Sequence, residues 1–170
     1  MSQFKNQLLP SLFDRLTDEE PRKKKEALPS KAVNLEQYRK AVLRDILYLL
    51  NTCNLQTGMA DERLPEYVQA STLNYGIPPL SGLNYSDIEW EEVAQYIRQA
   101  IIRFEPRLES HSLQVVADVS DSEAALHNQL IIEIKGNLKL NPYPKEFLLR
   151  TSMDIETGLF NLWEGGAGRE

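Results

Sequence analysis

The chain has a single cysteine, Cys53, so no internal disulfide is available to it. Cys53 follows an apolar helical run, and its expected role is a small buried hydrophobe at the helix end. No stretch approaches the roughly 20 apolar residues that a membrane helix needs. The first residues lack the charged start, apolar run and small-residue cleavage site of a signal peptide. The expectation is a cytoplasmic protein without membrane insertion. Basic charge is also short: the net charge is -6, which argues against nucleic acid as a partner, because that needs a basic face to displace counterions. The histidines number two, His111 and His127, neither near the cysteine in sequence. A metal site needs three or four convergent ligands, so both are read as solvent-facing turn residues and no metal is expected. Gly76 and Gly82 lack the Lys and Ser/Thr that follow a phosphate-binding loop. There is no Gly-x-Ser-x-Gly elbow, and Cys53 has no base close in sequence. No cofactor is expected.

Charge is uneven along the chain. Residues 1–33 carry seven Lys/Arg and five Asp/Glu, or +2, which leaves -8 for the remainder. The excess is the run Arg22, Lys23, Lys24, Lys25, read as a solvated linker in preference to a dock for an acidic partner. Leu8, Leu9, Leu12, Phe13 and Leu16 line one side of a short helix that Ser11 can cap, with Asp14 in its first turn. A segment so short is not stable alone and must dock on something, in this chain or another. The expected organisation is a docking helix and charged linker over 1–33, a single domain over 34–164, and a flexible glycine-rich tail over 165–170.

Periodicity then separates helices from strands. Asn34 reads as an N-cap with Gln37 at the third helical position, and Leu35, Tyr38, Val42, Ile46, Leu49 and Leu50 follow at helical spacing. Leu43 and Leu47 widen the stripe, so this helix is expected to be buried on more than one side. Pro65 suits the first position of a single turn through Glu66, Tyr67 and Val68. Residues 71–85 hold Gly76, Pro78, Pro79 and Gly82, which exclude a regular element. Leu73, Tyr75, Ile77, Leu80 and Leu83 make the stretch too apolar to hang free, so it should pack across the helices. Ser86 with Glu89 reads as a capping box opening a second long helix, where Val93, Ile97, Ile101 and Phe104 form the core stripe. Pro106 disfavours the α region at Glu105 and ends it. After that the period is two. Leu113 to Val119, Leu130 to Leu140 and residues 147–153 alternate, and a turn over 154–158 leads to a last strand of Leu159, Phe160, Asn161, Leu162 and Trp163. Helices first and an antiparallel sheet second define an α+β fold.

The most constrained local feature is Glu105-Pro106-Arg107, a carboxylate and a guanidinium two apart at a rigid helix exit. They suit holding a partner, and equally suit pairing with each other; spacing does not choose. Tyr75, Tyr85 and Trp90 stand equally between interface anchors and core packing. Glycoside cleavage needs two acids across a sugar cleft, one kept protonated. Asp87, Glu89, Glu91 and Glu92 cluster in one helical turn where the dipole favours the charged form. Arg107 beside Glu105 would hold that residue as the carboxylate if the two pair. Catalysis is therefore not expected.

Several runs in order resemble the TssE family, baseplate subunits of the bacterial type VI secretion system. They are Ser11-Leu12-Phe13-Asp14-Arg15-Leu16, then Val42-Leu43-Arg44-Asp45-Ile46 with Leu49-Leu50-Asn51-Thr52, then Ser71-Thr72-Leu73-Asn74-Tyr75-Gly76-Ile77-Pro78, then Phe104-Glu105-Pro106-Arg107-Leu108. That family is similar to the contractile-phage baseplate wedge protein, whose family carries an old lysozyme label. The resemblance spans about residues 8–163. It implies a structural component at the inner-membrane-associated baseplate, with wedge partners TssF, TssG and TssK and sheath partners TssB and TssC. It implies that Glu105, Pro106 and Arg107, the family's signature, contact the wedge core. It also implies a sheet resembling the sheath-type handshake domain, which offers the first sheath ring a docking edge. Leu159, Phe160, Asn161, Leu162 and Trp163, the strand at the chain end, are the expected edge, since a terminal strand is a natural acceptor for strand addition. The run at 22–25 and the length of the 17–33 linker have no evident family counterpart. The competing readings are a peptidoglycan-cleaving enzyme and a general filament-edge adaptor.

Overall fold

A computed structural model describes residues 8, 10–17, 22, 33–58, 63–80, 89–118 and 129–163. Among the described residues four α-helices precede four strands: α1 (Leu12–Leu16), α2 (Leu35–Leu50), α3 (Glu66–Gln69), α4 (Trp90–Phe104), β1 (Gln114–Asp118), β2 (Gln129–Leu138), β3 (Lys145–Asp154) and β4 (Phe160–Leu162). The strands form one antiparallel sheet in the order β1-β2-β3-β4. The fold is α+β, as the change of period from helix to strand implies.

α2 starts where the sequence places it. Asn34 accepts from the Gln37 amide and the Gln37 side chain reaches back to the Asn34 amide, so two orphan donors are satisfied reciprocally. Val42, Ile46, Leu49 and Leu50 are buried, with Tyr38, Leu43 and Leu47 packed against the core. Leu35, in the first turn, stays exposed. On α4 the buried stripe is Val93, Ile97 and Ile101, joined by Trp90, Ala94 and Ala100. These two helices face a sheet surface built from Leu130, Ile132, Ile134, Leu138, Phe147, Leu149, Met153 and Phe160. Every second residue of a strand points the same way, which is why the period-two apolar positions supply this surface. On the opposite surface Glu133 is held by Lys135 and by Arg150, whose Nε lies 2.7 Å from it.

Three expectations need correction. Cys53 is exposed, not buried: α2 ends at Leu50, and the chain turns so that Cys53 forms a lone parallel bridge with Ile77. α4 begins at Trp90, with Glu89 as an N-cap that makes no side-chain cap bond, instead of opening with a Ser86–Glu89 box. Ser86 itself, like Asp87, Gly82, Leu83, Tyr85, Val119, His127, the Lys23–Lys25 part of the basic run and the 165–170 tail, lies outside the described residues. Pro65 is the N-cap of α3 and not its first helical residue. α1 forms with Ser11 and Asp14 in a capping box; Leu12, Phe13 and Leu16 are 64–75% exposed.

The irregular stretch after α3 does pack across the helices. Ile77 and Leu80 are buried, while Leu73 is exposed. Ile77 donates to the Thr52 carbonyl and accepts from the Asn54 amide. This close approach requires Gly76, whose φ is +117° and whose position would put a Cβ 2.2 Å from the Thr52 carbonyl oxygen. Tyr75 is thereby set edge-on to Phe104, with ring centroids 5.2 Å apart, at the exit of α4.

Candidate functional site

The Glu-Pro-Arg triplet links α4 to the sheet. The Glu105 amide still closes the helix on Ile101. The chain then leaves the helical region, with φ -118° and ψ 79° at Glu105, as the following proline dictates. Two residues on, the Arg107 carbonyl accepts from Lys139 and the Glu109 amide donates to Asn137, with Leu108 bridged to Leu138. The triplet therefore joins the end of β2.

Between the helix and that junction, Glu105 turns inward and is 4% exposed. Its Oε1 accepts from the Arg107 amide at 3.0 Å and from Arg107 Nε at 2.7 Å, and its Oε2 accepts from Arg107 Nη2. The same Nη2 reaches Asp45 of α2 at 2.7 Å. Asp45 takes Arg44 Nε and Nη2 at 2.9 and 2.7 Å on its other oxygen, and Arg44 Nη1 reaches Asp14 of α1. Asp14 closes the chain by accepting from the Ser11 hydroxyl at 2.6 Å. Five alternating charges thus run from the exit of α4 across α2 to α1. Two rings back them: Arg107 stands 6.0 Å from the Tyr38 ring centroid and Arg44 5.5 Å from that of Phe13.

The charges are mutually stabilised. Burial alone would lower the Arg107 pKa, but the hydrogen bond and charge of Glu105, followed by those of Asp45, outweigh it and hold the guanidinium well above its ordinary value. Burial would raise Asp14, yet Arg44 and Ser11 together keep it below the usual carboxylate range. Burial lifts the Tyr38 phenol, and Arg107 offsets part of that effect. A cleft of about 370 Å³ beside the cluster is lined by Ser11, Tyr38, Leu49, Phe104 and Pro106, together with the charged residues. Pro106 is the exposed member of the triplet. Three donors from Arg107 already occupy the carboxylate that a substrate would have to meet. The chemistry of this arrangement is the rigid holding of a helix exit.

The second predicted site is the sheet edge. β4 is the last strand of the sheet, paired on one side with β3. Phe160 is buried, Asn161 and Leu162 are exposed, Leu159 is 52% exposed and Trp163 is half-buried. One feature was not legible beforehand. The side chain of Asn51, the C-cap of α2, donates to the Phe160 carbonyl at 2.9 Å and accepts from the Phe160 amide at 2.8 Å. It imitates a neighbouring strand at that residue. Only a contact 109 residues apart in sequence creates this clip, so no local pattern announces it.

His111 lies in an exposed turn, 3.5 Å from Glu109. Among the described residues no three His, Cys, Asp or Glu side chains cluster as metal ligands, and no helix is long and apolar enough to cross a membrane.

Helices thus lie on one face of an antiparallel sheet, with a part-buried ion-pair cluster at a helix exit. Residues 36–143 match the family of the baseplate wedge protein gp25, and the chain belongs to that family. The family is one of structural baseplate proteins, so the protein is a structural component of a phage-like baseplate. Among solved structures, a Geobacter sulfurreducens protein named as a tail lysozyme, known at 1.44 Å resolution, is similar at 18% identity and a TM-score of 0.44, over 79% of this chain and 100% of its own. No curated protein matches the chain.

Proposed function

We propose that this protein is the TssE-type baseplate subunit of a type VI secretion system. It binds the wedge proteins TssF, TssG and TssK and starts assembly of the TssB–TssC sheath by offering it a sheet edge. It works in the cytoplasm, at a baseplate associated with the inner membrane. The observation that supports the reading is the outer edge of the sheet: among the described residues β4 pairs as a strand with β3 alone, and Asn161 and Leu162 are exposed, the arrangement that strand addition requires. Leu159, Phe160, Asn161, Leu162 and Trp163 are the sheath-docking residues of this reading. The wedge-core contact is the Glu105, Pro106, Arg107 exit, with exposed Pro106 as the touching residue and the ion pairs as its rigid support. Co-purification from the native cell tests both halves. Tagged protein should bring down wedge and sheath proteins together, and a Pro106→Asp variant should lose the wedge proteins while staying folded. Recovery of neither set from wild type overturns the proposal.

A further inference from the structure

α1 meets the rest of the protein through charge. It buries none of its residues, and its apolar side chains Leu12, Phe13 and Leu16 are 64–75% exposed. An amphipathic helix ordinarily docks by its apolar stripe; this one is turned the other way. Among the described residues the body reaches it through Arg44 of α2. Arg44 Nη1 hydrogen-bonds Asp14, and the guanidinium lies over the Phe13 ring at 5.5 Å. A helix this short has no stability of its own. Its ion pair is 33% exposed at Arg44 and 20% at Asp14, and a pair open to water to that degree adds little.

The chain of charges is weakest at the same link. Without Asp14 it still holds Arg44, Asp45, Arg107 and Glu105, two cations and two anions. Arg44 keeps Asp45 through Nε and Nη2 at 2.9 and 2.7 Å. Arg107 keeps Glu105 and Asp45, and Asp14 keeps the Ser11 hydroxyl. No charge is stranded. A break at Arg107 would instead strand Glu105, which is 4% exposed. The base of the segment is pinned separately: the Leu8 carbonyl accepts from the Val33 amide at 2.9 Å, next to the Asn34 cap of α2. α1 can therefore lift while its base stays in place. Ser11, its N-cap, lines the cleft of about 370 Å³ that Tyr38, Phe104 and Pro106 also line. A space of that size suits a small molecule, so a protein segment entering it must move Ser11.

We propose that α1 is a releasable strap across the cleft at the exit of α4: the Arg44–Asp14 link opens, α1 swings out from its pinned base, and Ser11 clears the space beside Tyr38 and Pro106. The strap competes with the wedge proteins for that cleft, so its closed form lowers their affinity. The inference rests on the wedge-contact reading above and adds its regulation.

Amide exchange at neutral pH in stepped salt tests the strap. The Arg15 and Thr17 amides donate to Ser11 and Phe13 and report the closed form. Raising NaCl from about 0.05 to about 1 M screens the exposed link and should speed their exchange about threefold or more. The Arg107 amide, bonded to Glu105 Oε1 at 3.0 Å, should change less than about twofold. Asp14→Asn should show the fast exchange already at low salt. It should also bind purified TssF–TssG–TssK about threefold more tightly, because the closed form no longer withholds the cleft. Exchange at Arg15, Thr17 and Arg107 that rises together means the network opens as one unit, and overturns the inference. Equal binding by Asp14→Asn overturns it too, as does weaker binding, which would make the closed strap part of the contact. Wild type that binds no wedge protein overturns the wedge reading, while the strap stands or falls by the exchange pattern.

Discussion

The Nη2 atom of Arg107 lies 2.7 Å from Oδ2 of Asp45, a residue 62 positions earlier in the chain. This contact ties the exit of α4 to the middle of α2. It turns a two-residue motif into the centre of a network that ends on α1. The sequence offered Glu105 and Arg107 as partner contacts or as a pair, and the structure pairs them. Pairing holds the exit of α4 on either side of Pro106.

Arg107→Ala is therefore expected to destabilise the fold. It strands a carboxylate that is 4% exposed, and breaking a buried pair by removing one partner costs roughly 3–5 kcal/mol. A urea midpoint unchanged from wild type, at equal slope, would show that Glu105 finds water or another partner.

Asn51→Ala should cost about 1–2 kcal/mol, since two hydrogen bonds to Phe160 are lost. It should also raise self-association, because the full edge of β4 is then open. Sedimentation and thermal melting measure the two effects separately. An unchanged melting point and a strictly monomeric variant would argue that the clip is incidental.

Docking of α1 should depend on pH. Asp14 is held below its unfolded value of 3.8, so the stability it contributes is fully present above that value and is lost as the pH falls through the depressed folded value. Amide protection at Arg15 and Thr17, whose amides donate to Ser11 and Phe13, should fall in that acid window. In Asp14→Asn it should be low at neutral pH as well. Protection that persists at the lowest pH would place the anchor of α1 elsewhere.

Gly76→Ala should destabilise by roughly 2–5 kcal/mol, combining a disfavoured backbone region with a steric clash. The Cβ would meet the Thr52 carbonyl at 2.2 Å. Reduced Tyr75–Phe104 contact should accompany the loss, seen as a change in near-UV circular dichroism. A fully stable variant would mean that the 71–80 segment shifts freely over α2.

Purified protein is expected to leave the turbidity of peptidoglycan unchanged at pH values between about 4 and 8, where a general acid would act. Reproducible clearing that vanishes in Glu105→Gln would instead establish a hydrolase.

Spacing alone determined a good deal of this protein. The apolar stripe Val42, Ile46, Leu49 and Leu50 and the stripe Val93, Ile97 and Ile101 specify two core helices. Alternation along β2 and β3 specifies a sheet with one apolar face. Local chemistry fixed the Asn34–Gln37 and Ser11–Asp14 caps, because cap partners lie three residues apart and compete with nothing distant. Local chemistry also misled at Ser86–Glu89 and at Cys53. α4 starts at Trp90 with no side-chain cap bond from Glu89, and Cys53, in a lone bridge with Ile77, is exposed. Tertiary structure decided the rest. Asp45 meets Arg107, Asn51 meets Phe160 and Arg39 meets Leu148 only after α2 has packed beside α4 and the sheet. Side-chain pairing across 62 or 109 residues carries no sequence period. It depends on which surfaces bury most apolar area together, and that is a property of the whole chain.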